Sequence, residues 1–174
     1  MPLDLEETTT LLRRTSGVLD ALLRGLPDRW AHENEGPDTW SSFDVVGHLI
    51  EAEETNWIPR IRHLLRRGES APFPPFDRFG FVEKSKGRSV AEMLDGFGQA
   101  RVRSLRDLDE LGLTSADLAR KGRHPDFGPV TLEQLLATWA IHDLNHIGQI
   151  VKVLARQHAE AVGPWRAFLG ILEE

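Results

Sequence analysis

Four long stretches of this chain repeat apolar residues at three- and four-residue steps, each bounded by glycine, proline or a capping pattern, and that spacing limits the fold more than any other feature. The first runs from Leu5 to Leu26 and places Leu11, Leu12, Val18, Leu19, Leu22 and Leu23 on one stripe. Pro27 to Thr39 then breaks the pattern with Gly36, two prolines and several charges. The second stretch opens after Trp40-Ser41-Ser42, with Asp44 in its first turn and Val45, Val46, Leu49 and Ile50 following, and is expected to reach about Arg67. Pro59 lies inside it and removes one amide donor while crowding the preceding turn, so a kink or an early end is expected there. Ser89-Val-Ala-Glu92 and Thr131-Leu-Glu-Gln134 are capping boxes, in which two side chains each satisfy a free backbone donor. The third stretch follows the first box with Val90, Met93, Leu94, Phe97, Leu105 and Leu108. The fourth runs from the second box to about Ala161, where Gly163 can end it and Pro164 can open a short closing helix through Leu172.

No stretch alternates convincingly enough to read as a strand. Four amphipathic helices without strands predict an all-α, antiparallel-type four-helix bundle, one domain over residues 1–174. Its middle connections are long enough for crossovers. Gly68 to Gly87 interleaves Pro72, Pro74 and Pro75 with Phe73, Phe76, Phe79 and Phe81, which suits a segment packed across the body, either sealing the core or walling a pocket. Gly112 to Val130 carries a candidate helical turn after Thr114 and the breakers His124-Pro125 and Gly128-Pro129.

Composition narrows the function. A chain of 174 residues hides roughly 70% of its unfolded surface and needs no cross-links to build a core. With no cysteine it has no disulfide framework, no thiolate zinc site, no cysteine nucleophile and no dithiol redox centre of its own. Any thiol chemistry must use an outside thiol. A net charge of -6 and a pI near 5.7 argue against nucleic acid as a partner. The longest apolar runs are short, and the opening MPLDLEETTT lacks the basic and apolar regions of an export signal, so no membrane span is expected and the cytoplasm is the expected location.

The segment richest in chemistry is Thr138-Trp-Ala-Ile-His-Asp-Leu-Asn-His-Ile-Gly-Gln-Ile150. On a helix His142 and His146 lie roughly 6 Å apart along the axis and about 40° apart around it, close enough to chelate one ion. Both fall in the stripe of Leu132, Leu135, Leu136, Trp139, Ile150, Val153 and Leu154, so they point inward. Two buried imidazoles need partners for four ring nitrogens, and a metal ion takes one from each. A third donor is expected from His48, which can reach the interior from the first half of the second helix. His32, His63 and His158 lie among charges and read as solvated, and His124 sits in a loop between Arg123 and Pro125. Three nitrogens with open positions are the arrangement of a catalytic rather than a structural ion. Asp143 stands where zincins place their general-base glutamate, one methylene shorter, yet no downstream ligand follows at their spacing. Paired Glu-x-x-His motifs of a di-iron bundle are missing as well.

These residues carry a family resemblance. His48 in Asp-Val-Val-Gly-His-Leu, the stretch Gly128 to Ile150 with its histidine pair, and the closing Gly163-Pro-Trp-Arg resemble the DinB-like superfamily, which includes the YfiT-type metal-dependent hydrolases. The resemblance spans nearly the whole chain. It implies a four-helix bundle of up-down-down-up type with non-consecutive helix order, a homodimer, and a divalent ion on His48, His142 and His146, with zinc or nickel ahead of iron or manganese. Related branches use low-molecular-weight thiols, as in bacillithiol S-transferases and mycothiol-dependent maleylpyruvate isomerase.

Two functional readings follow. In the first, the chain is a metal-dependent enzyme that activates a small-molecule thiol against an electrophilic substrate held under the phenylalanine-rich loop, or activates water for hydrolysis. In the second, it is a non-enzymatic metal-binding or stress-associated bundle. Asp44 and Glu51, one turn either side of His48, are candidate acceptors for its ring. Asn145 and Gln149 could orient a ligand or simply pack, Trp139 reads as core, and Arg60, Arg62, Arg66 and Arg67 could draw in a carboxylate-bearing thiol. No residue is singled out as catalytic.

Overall fold

The four longest helices begin where a side chain caps them. The computed structural model describes residues 3–173 and contains α1 (Leu5–Leu23), α2 (Asp28–His32), α3 (Ser42–Thr55), α4 (Trp57–Arg67), α5 (Phe81–Ser85), α6 (Val90–Glu110) and α7 (Leu132–Arg156). Asp4 caps α1, and complete capping boxes start α3 at Ser41 and Asp44, α6 at Ser89 and Glu92, and α7 at Thr131 and Gln134. The second predicted helix is two helices. It breaks at Asn56, which places Pro59 in the first turn of α4, where its missing N–H leaves no gap in the ladder. The first helix stops at Leu23 rather than Leu26, and the last at Arg156 rather than near Ala161. The expected turn after Thr114 is the 3-10 helix Asp117–Ala119, and the closing segment is a pair of 3-10 helices, Gly163–Phe168 and Gly170–Leu172.

One small sheet departs from the all-helical expectation. Strands β1 (Lys121–His124) and β2 (Gly128–Thr131) pair antiparallel, Lys121 opposite Thr131 and His124 opposite Gly128. Strands this short, holding Gly, Pro and charge, carry no alternating signal. Their stability comes from tertiary contact, with the Phe73 amide donating to the Arg123 carbonyl at 2.8 Å and the buried Phe73 ring against Gly122.

The winding order follows from side-chain contacts. α1 runs against α6, since Arg24 meets Asp95 while Arg101 meets the Leu12 carbonyl. α1 runs alongside α7, with Leu3 bonded to Glu133 and Thr15 to Asp143. α3 and α4 follow α6, through Glu53 to Arg101 and Arg62 to Asp107. The bundle is therefore up-down-down-up, and α1 and α3, consecutive among its long helices, are diagonal in space. Among the described residues no helix is long and apolar enough to cross a membrane.

Two apolar clusters fill the bundle. One contains Leu12, Ile61, Leu64, Leu136 and Trp139; the other contains Leu19, Val45, Leu49, Phe97 and Ile150. A polar layer crosses between them. Arg101, 1% exposed, donates to both oxygens of Asp143 at 2.6 and 3.0 Å, to Glu53 at 2.9 Å and to the Leu12 carbonyl at 2.6 Å. Trp139 Nε1 also donates to Glu53, and Thr15 Oγ1 to Asp143.

Candidate metal centre

His48 is carried into the interior by α3, and His142 and His146 by consecutive turns of α7. His142 Nε2 lies 3.2 Å from His48 Nε2 and 3.2 Å from His146 Nε2, and the three donor atoms fall within 4.8 Å of one another. His48 and His146 are buried, and His142 is partly so. No carboxylate oxygen joins the group among the described residues.

The outer ring nitrogens decide how the inner ones can act. His48 Nδ1 lies 3.2 Å from the Arg78 carbonyl, and His146 Nδ1 lies 2.8 Å from Gln149 Oε1. Both partners accept, so both rings hold their proton on Nδ1 and turn an Nε2 lone pair toward His142. Those lone pairs converge on His142 Nε2, and a cation among the three nitrogens would take one lone pair from each ring. Two imidazoles bound at 2.0–2.1 Å to one tetrahedral zinc are about 3.3 Å apart, close to the 3.2 Å spacing here. The residues fit a divalent ion. His142 Nδ1 is buried without a partner, in a ring packed edge-on against Trp57 at 5.1 Å.

Burial and mutual repulsion keep the imidazoles neutral. His48 is pushed down to about 4 by burial first and by the His146 charge second. His142 falls to about 3 through burial and the charges of His146 and His48. Burial lowers His146 too, opposed by its bond to Gln149.

The walls are aromatic. Trp40 stands 4.8 Å from the His48 ring and 6.3 Å from the His146 ring, nearly parallel to the latter at 24°. Phe76 and Phe81 turn their edges to His48 at 5.7 and 6.4 Å. The loop of 68–87 thus serves both of its expected roles, since Phe73 seals the core while Phe76 and Phe81 wall the triad. Gly47 makes this possible: a Cβ there would stand 2.6 Å from the Phe81 ring.

Several expected partners are elsewhere. Asp44 is spent on the Ser41 capping box, and Glu51, though buried, pairs with Lys84. Asp143 turns away into the Arg101 layer, so it cannot serve as a zincin-type base. His63, expected in solvent, bonds to the Ala71 carbonyl and packs on Phe73. Arg60 lies over Phe73 and Arg62 pairs with Asp107, and neither these nor Arg66 and Arg67 line the space beside the triad. Sequence reasoning passed over Arg78, whose carbonyl fixes His48, because backbone acceptors leave no residue signature. It also passed over the Arg101 layer, although an arginine four residues after Phe97 and four before Leu105, inside an apolar stripe, was a readable sign.

Comparison with known proteins gives a family and a fold. The model of the DinB superfamily matches residues 11–150. Among solved structures, YfiT from Bacillus subtilis, described as a probable metal-dependent hydrolase with an unusual four-helix bundle topology, aligns with a TM-score of 0.74 at 21% identity, covering 89% of this chain and 90% of that one. At that identity the likeness shows the fold. No curated protein matches the sequence.

Proposed function

The chain belongs to the DinB superfamily, and from that premise we propose that it is a metal-dependent enzyme in which His48, His142 and His146 hold one divalent ion beside an open cleft. The observation that carries this reading is the convergence of three Nε2 atoms, two of them locked as lone-pair donors by the Arg78 carbonyl and Gln149. YfiT, described as a probable metal-dependent hydrolase, shares the fold, which is consistent with the reading but does not select the reaction.

When bound, such an ion supplies Lewis acidity, bringing a coordinated water or thiol to its deprotonated form near neutral pH. The chain's own residues do the rest. Arg78 O and Gln149 Oε1 retain the Nδ1 protons and fix the ring planes. Trp40, Phe76 and Phe81 keep bulk water from the inner side. Asp44, Glu51 and Asp143 are engaged elsewhere and offer no separate base. That favours an outside small thiol over water as the nucleophile, because a thiol, with a pKa of about 8.5, needs much less help to lose its proton. The partner would be an electrophile held in the cleft next to His146.

The test is turnover. Metal-loaded protein should conjugate at least one physiological thiol to a panel of electrophiles, and both chelator and His142→Ala should abolish it. Chelator-sensitive ester or amide hydrolysis without conjugation would move the assignment to the hydrolase branch. Neither activity, in protein that binds metal fully, would leave a non-enzymatic metal-binding bundle and overturn the proposal.

A further inference from the structure

A cleft of about 570 Å³ opens beside the triad, lined by His146, Trp40, Arg78, Gln149, Lys152 and Asp38 among others, and this is within the range of small-molecule sites, roughly 300–1,000 Å³. Its charge is unusual for this protein. Arg78 and Lys152 both face it, and neither has a carboxylate within ion-pair distance among the described residues. The Arg78 guanidinium rests 5.2 Å from the Trp40 ring and 5.3 Å from the Phe79 ring. Stacking of this kind holds the group in place without using its N–H donors. Gln149 spends its oxygen on His146, so its amide N–H groups are still free to donate. Of the acids at the cleft, Glu35 is taken by Arg156 at 2.8 Å, which leaves Asp38. With Glu35 paired to Arg156, which lies outside the lining, Arg78 and Lys152 against Asp38 leave one net positive charge here, in a chain whose total is -6.

We propose that this cleft binds a small molecule bearing one carboxylate, held by Arg78 and Lys152, with its body against Trp40 and its other end toward the three histidines. A guanidinium fork suits carboxylates and phosphoryl groups alike, and the one excess charge of the cleft's own side chains matches a carboxylate's single negative charge. That the far end reacts rests on the metal-dependent reading above; the anion site itself does not.

Calorimetric titration tests it, with 3-phenylpropionate, its neutral amide and 2-phenylethylphosphonate as probes, on zinc-reconstituted and chelator-treated protein. The acid should bind about tenfold tighter than the amide in both forms, and Arg78→Gln and Lys152→Gln should each remove about tenfold of its affinity, while zinc uptake by Lys152→Gln stays at the wild-type level. Equal binding of acid and amide, no heat with millimolar acid, indifference to both substitutions, or a phosphonate preferred by more than tenfold would each overturn it. Indifference combined with a strict need for zinc would place the carboxylate on the ion instead. Failure of the metal reading would look different: no zinc uptake by wild-type protein, with the acid still preferred over the amide.

Discussion

His146 and Gln149 stand one turn apart on α7, and the bond between them converts a helix-surface amide into the group that sets which nitrogen of His146 can bind a ligand. Gln149→Ala should therefore lower metal affinity by about ten- to a hundredfold, measured by competition with a chromogenic chelator, without lowering the melting temperature of the metal-free protein. A second prediction follows from the depressed histidines. In the unfolded chain their pKa is about 6.5, whereas in the fold His48 lies at about 4 and His142 at about 3. Between those values the unfolded chain binds protons that the folded chain refuses, so the stability of metal-free protein rises with pH across this window and is lost as pH falls through it. Thermal unfolding from pH 7.5 to 4 should show that fall, and His142→Gln should flatten it; an identical slope in the variant would contradict the assignment. The three histidines were legible in the sequence because two of them fall four apart inside an apolar stripe. What orients them was not, because the Arg78 carbonyl depends on where a distant loop comes to rest and the Gln149 amide, one turn along α7, could as well have faced solvent.

At the level of elements, capping chemistry was the clearest text. The boxes at Ser89 and Thr131 open α6 and α7 where the sequence places them, and Ser41 with Asp44 does the same for α3, the helix that presents His48. Ser41→Ala should cost about 1 kcal/mol, read as a shift in the denaturation midpoint. Close approach of the loop to α3 is a second element-scale claim. Gly47→Ala would drive a methyl group into Phe81 and should cost about 1–3 kcal/mol, whereas Gly98→Ala, with nothing within 4 Å of the new Cβ, should be neutral or stabilising. Equal effects at the two glycines would refute the packing argument. The break at Asn56 was foreshadowed by Pro59, but the β1–β2 hairpin was not, since it is held by Phe73 from the preceding loop rather than by any pattern of its own.

Across the whole molecule, a buried ionic layer separates two apolar clusters and ties four helices together through Arg101. Burial drives the Glu53 carboxyl upward against the pull of Arg101. Removing the cation alone would strand Glu53 and Asp143 in the core, so Arg101→Met should cost about 3–5 kcal/mol, by denaturant titration of the metal-free protein. The same layer sits next to the metal centre, because Asp143 occupies the turn between His142 and His146 and pins the inner face of α7 while the histidines face α3. The up-down-down-up order that holds these faces together was implied only by family resemblance, since amphipathic spacing identifies helices without saying which are neighbours. Site and chemistry alike depend on a cation among three imidazoles, and the most direct measurement is X-ray absorption with elemental analysis on untagged protein. It should find one divalent ion per chain, with three nitrogen neighbours at about 2.0–2.1 Å for zinc, and none in His142→Ala; no ion after reconstitution, or one that survives the substitution unchanged, would contradict it.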